Sequence, residues 1–302
     1  MTMTMKVLLF YTVYLSQLLV ISVYLPTIIL RRARELIESY PPSAYPKLYP
    51  EPLPKIERML AIYRNLNVGF LLLGLGLLAV AWVSDYRIAA RYGAYPTMVA
   101  HGVYSMLQLS PAIVLSLWGL TYFQRMRAAA RSRIRTAQLK ARRLFDFVSP
   151  ALLATAVAMY VGATASVLYL DKPPGWLPSA VSPWAAAIIS MTVCNTLFAG
   201  IIGWTLYGRK QDPHQTHEER ARQIRRVAQS LLIVSVLVSV HTAGGNALHV
   251  FELWQYGAPV RSLFLQVIVI LMARYALARL DPQGFEVYKA DPNRGTALAT
   301  NK

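Results

Sequence analysis

The chain has 302 residues, of which 55% are hydrophobic, and its 31 Lys and Arg against 14 Asp and Glu give a formal net charge of +17. Seven apolar stretches, each near or above the roughly 18–20 residues that cross a hydrocarbon core of about 30 Å, exclude a soluble protein. The single cysteine, Cys194, excludes an intrachain disulfide and is interpreted as a small packing residue within the fifth stretch. The composition therefore predicts an all-α, multi-pass integral membrane protein.

The seven predicted spans form a bundle of transmembrane helices. They cover residues 7–30, 67–84, 98–123, 148–170, 182–207, 228–254 and 260–278. The first is predicted to be retained rather than cleaved, because it exceeds the apolar core of about 7–15 residues that a signal peptide carries. No small-x-small cleavage pattern follows it, and Arg31 and Arg32 stop it from the far side.

The basic residues lie in alternate gaps between the spans. Of the 31 Lys and Arg, 25 fall in the loops 31–66, 124–147 and 208–227 and in the tail 279–302, whereas five fall on the opposite side. Positive charge accumulates in cytoplasmic loops, so the N-terminus is predicted outside and the C-terminus in the cytoplasm. Outside the spans no segment has the apolar content for a separate core, which predicts one domain over residues 1–302. The strength of the bias favours a bacterial inner membrane.

Two prolines fall inside predicted spans, Pro26 in the first and Pro111 in the third. Each removes a backbone hydrogen bond and is therefore predicted to kink its helix. Gln108 and Ser110 are polar neighbours whose side chains are expected to help satisfy the freed carbonyl groups.

The first cytoplasmic loop is rich in Tyr-Pro pairs. Tyr40, Tyr45 and Tyr49 each precede a proline, which favours extended or polyproline II backbone. Such a segment docks on a protein partner or forms a stiff strap whose tyrosines rest among lipid headgroups. The composition is compatible with both interpretations.

The second cytoplasmic loop carries a dense run of basic residues with high helix propensity, which predicts that the third span continues into the cytoplasm. Its contact residues are predicted to be Arg131, Arg133, Arg135 and Arg142. Each adds about 1 kcal/mol of attraction to anionic headgroups, so lipid contact explains the run, and an acidic protein is the sharper alternative. No nucleic-acid partner is expected, because no recognised binding fold accompanies the charge.

Polar residues inside the spans are candidates for function, since ionisable groups are costly there. The sixth span becomes polar in its outward half, and the seventh adds one amide. The predicted intramembrane cluster comprises His241, Asn246, Glu252 and Gln266. The simplest interpretation is a hydrogen-bonded group that fixes the register of neighbouring helices.

Binding of a cofactor is the more specific alternative for the polar residues at the outer ends of the spans. His101 and His249 are predicted at similar depth on antiparallel helices, as two axial ligands of a b-type haem require, and glycines beside them leave room for a porphyrin. His249 and Glu252, spaced i and i+3 on one helical face, would instead begin a metal site with His101. Few ligands are present for either centre.

Several enzyme classes lack their sequence signals. The chain has no G-x-x-x-x-G-K-[ST] loop, no H-E-x-x-H helix and no G-x-S-x-G elbow. The sequence favours a non-enzymatic accessory, sensing or structural component of a membrane assembly that acts through its basic cytoplasmic face. The alternatives are a b-type haem electron-transfer protein and a small-solute transporter, although no internal repeat supports the transporter.

Overall fold

The computed structural model describes residues 3–92, 103–130, 143–170, 183–208, 212–253, 256–277 and 282–289. It is 88% helical, and the described residues include no strand. Six helices in this part of the chain are long and apolar enough to cross a bilayer. The predicted class, a multi-pass helical membrane protein, is thereby supported, and the number seven and the orientation stay predictions.

The first two helices form one continuous rod with a wide turn in it. Helix α1 covers Met3–Leu19, a π-helical turn covers Val20–Tyr24, and α2 covers Leu25–Ser39. Pro26 lies in the first turn of α2, where its missing N–H leaves a carbonyl of the preceding turn without its usual donor. The disturbance predicted at this proline takes the form of a π turn, which is a common way to relax a helix locally.

Of the next two helices, the first packs against α2 and the π turn, and the second packs against the first. A short 3₁₀ turn, Pro46–Leu48, leads to α3, which covers Leu53–Tyr92 and is 40 residues long. Residues 103–107 are helical, a turn follows at 108–109, and α4 then covers Ser110–Ala129 with Pro111 in its first turn. The predicted break in the third span therefore lies just before Pro111.

The remaining helices complete the chain. A 3₁₀ turn, Leu144–Asp146, leads to α5 over Pro150–Leu170, followed by α6 over Pro183–Tyr207 and α7 over His217–Val250. Helix α8 covers Gly257–Leu277, and a final 3₁₀ segment covers Pro282–Tyr288. The apolar part of α8, Gly257–Ala273, is shorter than the six candidate spans.

Helix ends differ from the predicted span ends at several places. The predicted loop 31–66 is helical up to Ser39 and again from Leu53, so the connection is only 40–52. Likewise α7 begins at His217 rather than at 228. Hydropathy marks where apolar residues end, whereas a helix continues through charged residues of good helix propensity.

Contacts between backbone positions group the chain into two units. The first comprises Met1–Gln17, Lys140–Arg209 and Ala221–Ala276. A small apolar core forms in it where the start of α5 meets α7, through Val148, Ala156, Ala228 and Leu232. Packing groups do not establish independent folding, so the single domain stays a prediction.

The second unit comprises Leu18–Leu139, Lys210–Arg220 and Leu277–Lys302. In it α3 packs against α2, the π turn and α4. Large apolar side chains remain exposed on its helices, among them Leu72, Val80 and Leu117. Their exposure fits a lipid-facing surface, because lipid provides the apolar surroundings that water does not.

Candidate functional site

Gln266, one of the predicted intramembrane residues, makes its contacts with α1. Its Nε2 donates to Ser16 Oγ at 3.1 Å and to the carbonyl of Val13 at 3.3 Å. One turn away on α8, the Ser262 hydroxyl donates to Gln17 Oε1 at 2.6 Å, and Gln17 is fully buried. Buried polar groups thus satisfy one another across two helices, as apolar surroundings demand.

The other members of the predicted intramembrane cluster do not join Gln266. The His241 ring stacks on Phe264 with centroids 4.1 Å apart. Asn246 Nδ2 is buried and has no hydrogen-bond partner within the described part of the chain. Glu252 is exposed. The structure therefore does not bring these four residues together as one group.

Glu252 lies beyond the end of α7. Its φ of 58° is left-handed, and the N–H of Leu253 donates to the carbonyl of Leu248 at 2.7 Å, as in a Schellman C-terminal motif. Glu252 therefore lies in the turn after the helix, and its pairing with His249 at a metal site stays a prediction. Turn geometry, rather than helical periodicity, sets the direction of the glutamate.

The cofactor hypothesis falls largely outside the described structure. His101 and the side chain of His249 both lie outside the described residues. Among the residues that the structure describes, no group of three or more His, Cys, Asp and Glu is arranged to hold a metal ion. Haem or metal binding at the two histidines stays a prediction.

Gln108, expected to help satisfy a carbonyl freed by Pro111, makes a bond to another helix. Its Nε2 donates to the hydroxyl of Ser22 in the π turn at 2.9 Å. Nearby, the buried Tyr104 donates its hydroxyl to the carbonyl of Phe70 at 2.6 Å and covers Gly74. The proline signals located the two breaks in the helices, but nothing in the sequence predicted that they face each other.

The predicted contact tyrosines form a compact cluster at the end of the second unit where α2 and α4 finish and α3 begins, here called the basic end. Tyr40 stacks on Phe285 with centroids 4.4 Å apart, and Tyr45 packs edge-on against Tyr40 at 5.0 Å. Tyr49 donates its hydroxyl to the carbonyl of Tyr40 at 2.6 Å, and burial raises the pKa of its phenol. We call Tyr40, Tyr45, Tyr49, Phe285 and Tyr288 the tyrosine cluster.

The loop that carries three of these tyrosines is folded back rather than extended. The N–H of Tyr45 donates to the carbonyl of Pro41 at 3.0 Å, and Pro46–Leu48 is a 3₁₀ turn. The expected polyproline II geometry is therefore wrong for this segment. Proline fixes φ at a value that turns also use, and aromatic contacts with a distant segment favour the turn.

A third segment joins the tyrosine cluster through Asp212. The buried carboxylate accepts a hydrogen bond from the Tyr288 hydroxyl and another from the N–H of His214 at 2.9 Å. Burial, and next the negative charge of Asp212, raises the pKa of Tyr288. A capping box between Thr216 and Glu219 then starts α7.

A buried carboxylate anchors the basic end to α4. Glu51 is 5% exposed and pairs with Arg125, and Lys55 Nζ lies 3.2 Å from the same carboxylate oxygen. The Tyr122 hydroxyl donates to the carbonyl of Leu48 at 2.5 Å, one helical turn from Arg125. Sequence patterns did not reveal this pair, because the partners are 74 residues apart.

The predicted lipid-contact residues Arg131, Arg133, Arg135 and Arg142 lie outside the described residues. Before them, α4 continues to Ala129 and carries the exposed Arg127. The predicted extension of the third span is therefore observed as far as Ala129.

Comparison of the chain with protein-family models, with curated proteins and with solved structures finds no match. Inference about function consequently rests on the residues and contacts of this chain. Two features are defined by side-chain contacts between distant residues. They are the paired polar side chains within the spans and the tyrosine cluster at the basic end.

Proposed function

We propose that the chain is a non-enzymatic accessory, sensing or structural component of a membrane assembly, in a bacterial inner membrane. It crosses the bilayer seven times, with the N-terminus outside and the C-terminus in the cytoplasm. Its basic cytoplasmic face makes the functional contact, with anionic headgroups and with a protein partner.

Two observations support the topology within this proposal. The 25-to-5 distribution of basic residues favours a cytoplasmic location for the basic end. Helix α8 has 21 residues, or about 31 Å at about 1.5 Å per residue, which matches the hydrocarbon core even though its apolar part is short. An odd number of spans then places the two termini on opposite sides.

The observation that carries the functional proposal is the tyrosine cluster. Three segments far apart in the chain, 40–51, 212–219 and 282–289, meet at the basic end through Tyr40, Phe285, Asp212 and Tyr288. A surface ordered before binding loses less conformational entropy when a partner docks. Aromatic and Arg side chains are also enriched where proteins bind one another.

The paired polar side chains support a structural role for the spans. Gln17 with Ser262 and Gln108 with Ser22 connect helices by hydrogen bonds inside the apolar region. Each such bond contributes about 0.6–2 kcal/mol to helix association. Bonds of this kind hold neighbouring helices in register.

The proposal is tested by site-specific crosslinking in native membranes. A photoreactive amino acid replaces Tyr45 in the tyrosine cluster or, as a matched control, Tyr169, which is 75% exposed on α5. We expect one defined protein adduct from position 45, lost when Phe285→Ala removes the ring under Tyr40, and no such adduct from position 169. Lipid adducts alone at position 45 would contradict a protein partner, and identical adducts at both positions would contradict a specific face.

Replacing Arg131, Arg133, Arg135 and Arg142 together by Gln tests the lipid contact. The variant is expected to float with anionic vesicles less than the wild type does, and the difference should be largest at low salt. At physiological ionic strength exposed charges are screened within about 8–10 Å, so the difference should shrink. Equal flotation of variant and wild type at low salt would contradict the role of these residues.

A further inference from the structure

The first unit contains a cavity of about 520 Å³ between α5, α6 and α7. Leu153 and Val157 of α5, Phe198 and Ile202 of α6, and Leu232 of α7 form apolar walls. The volume falls within the range of sites that hold small molecules, about 300–1,000 Å³. Val157 is 55% exposed, so the cavity is accessible from the surface that the spans present to lipid.

Polar side chains also line this cavity, and they include Tyr160, Thr192, Asn195 and Ser235. The Thr192 hydroxyl donates to the carbonyl of Ile188 at 2.8 Å, so its single proton is used. In the 2.8 Å contact between Tyr160 and Thr192 the tyrosine is therefore the donor. The Tyr160 hydroxyl oxygen keeps acceptor capacity, but its proton is committed.

Asn195 has donor capacity beyond the bonds that hold it in place. One N–H of Nδ2 donates to the carbonyl of Met191 at 2.9 Å, and Oδ1 accepts the hydroxyl of Ser235. A primary amide carries two N–H groups. The second N–H is a donor that this wall offers to a ligand, and the two bonds fix the orientation of the amide.

We infer that this cavity binds a neutral, lipid-soluble molecule whose carbonyl oxygen accepts the second N–H of Asn195. None of the lining residues is ionisable at neutral pH, so a charged head group would enter apolar surroundings without compensation. A carbonyl oxygen accepts and cannot donate, which matches an N–H donor. The apolar walls take the hydrocarbon part of the ligand, and access from the lipid side selects molecules that partition into the bilayer.

Two lipid-soluble sources carry this chemistry, the ring carbonyl of a quinone and the ester carbonyl of an uncharged glycerolipid. The probes are decylubiquinone for the first and dioctanoylglycerol for the second. Binding is measured by titration calorimetry on the full-length protein in nanodiscs. Saturable binding of at least one probe is expected. Binding of one probe alone identifies the source, and binding of both assigns the site to the carbonyl that they share.

Two glycines of α6 provide a matched pair of variants. Gly203 lines the cavity and Gly200 does not, and at both positions the space where a Cβ would lie has no atom within 4 Å. Leucine at 203 therefore fills the cavity without a clash at Cβ. Leucine at 200 makes the same chemical change on the same helix outside the cavity.

We expect Gly203→Leu and Asn195→Leu each to weaken binding at least tenfold, since a lost hydrogen bond of about 1.4 kcal/mol is a factor of ten. Gly200→Leu should bind as the wild type does. Asn195→Leu also breaks the bond to Ser235, so Gly203→Leu is the independent check. Failure of both probes to saturate the wild type, or unchanged binding in Gly203→Leu, would overturn the inference.

Discussion

Gln108 and Ser22 connect the two irregular turns of the second unit, because the Nε2 of Gln108 donates to the Ser22 hydroxyl at 2.9 Å. Ser22 lies in the π turn Val20–Tyr24, and Gln108 lies in the interruption that precedes Pro111. Both side chains are buried. A direct side-chain bond therefore couples two places where the regular helical ladder is broken.

A double-mutant cycle on Gln108→Leu and Ser22→Ala should reveal this bond. The coupling free energy of unfolding is expected to be about 0.6 kcal/mol and at most about 1.7, as for other hydrogen bonds between membrane helices. Reversible unfolding in mixed micelles measures it. Ser116→Ala is the control, because that hydroxyl is exposed and bonds only within α4, to Ala112. Additivity of Gln108→Leu and Ser22→Ala would show that the contact adds no stability.

Two glycines of α3 should respond to alanine in opposite directions. At Gly76 a Cβ would meet no atom within 4 Å, so Gly76→Ala should stabilise by about 0.8–1 kcal/mol through helix propensity. At Gly74 a Cβ would overlap the Tyr104 hydroxyl and Leu18, so Tyr104 must leave the carbonyl of Phe70. Gly74→Ala should destabilise by about 1–3 kcal/mol. Equal changes in the free energy of unfolding for the two variants would refute the tight contact at Gly74.

Arg125 and Arg127 lie on α4 and differ in their partners. Arg125→Gln removes one of the two cations at the buried Glu51 and leaves Lys55, whereas Arg127 makes no ion pair within the described part of the chain. Loss of a partner from a fully buried pair costs about 3–5 kcal/mol, and half-exposed Arg125 should cost less, about 2 kcal/mol. Arg127→Gln should change the free energy of unfolding by under about 0.5 kcal/mol. Similar values for the two variants would argue against the pair.

Attachment of the segment 282–289 should weaken at high pH. Burial and Asp212 raise the pKa of Tyr288 above its ordinary 10.0, so the folded form holds this proton more tightly than the unfolded form. Below about pH 10 both forms are protonated and stability has no slope from this group. Above that pH the unfolded form loses the proton first, and stability falls.

Proteolysis at Lys289 between pH 8 and 11 measures this effect. Cleavage of the wild type should accelerate above about pH 10, whereas Tyr288→Phe should be cleaved faster at pH 8 and show a smaller further increase. Tyr49→Phe controls for another phenol of the tyrosine cluster, whose pKa burial also raises. A cleavage rate of the wild type that stays constant up to pH 11 would contradict the burial of the Tyr288 hydroxyl.

Reporter fusions test the orientation. A reporter that is active only outside the cytoplasm should give signal when fused after residue 175 and none after residue 135 or 215, since the basic loops are predicted inside. Activity after residue 135 would reverse the topology. A fusion after residue 277 tests the short α8 separately and should be inactive if that helix crosses, because the six earlier spans leave the segment before α8 outside.

The sequence predicted those features of the fold that depend on local composition. The apolar stretches located the spans, and Pro26 and Pro111 located the π turn and the interruption before α4. Helix ends were less predictable, because Arg31 and Arg32 end an apolar stretch while α2 continues to Ser39. Lys and Arg are good helix formers, so charge marks the membrane boundary and not the end of the helix.

Contacts between distant residues could not be predicted from one sequence. Gln266 was identified as a buried amide, but its contact with Ser16 depends on how α8 packs against α1, 250 residues away. Tyr40 was predicted to contact a partner or lipid, yet it stacks on Phe285 of the same chain. Asn195 and Ser235 were visible as polar residues, whereas the cavity beside them arises only when three helices meet.

The length of α3 determines how far the basic end stands from the acyl chains. Its 40 residues span about 60 Å, twice the hydrocarbon core, and even at the upper tilt of about 40° they cover about 46 Å along the membrane normal. A helix of this length therefore cannot be accommodated within the core. The proposed topology predicts that its first turns, with Lys55, Arg58 and Arg64, project as a stem into the headgroup layer and beyond. A water-soluble protein could then reach the tyrosine cluster without entering the bilayer.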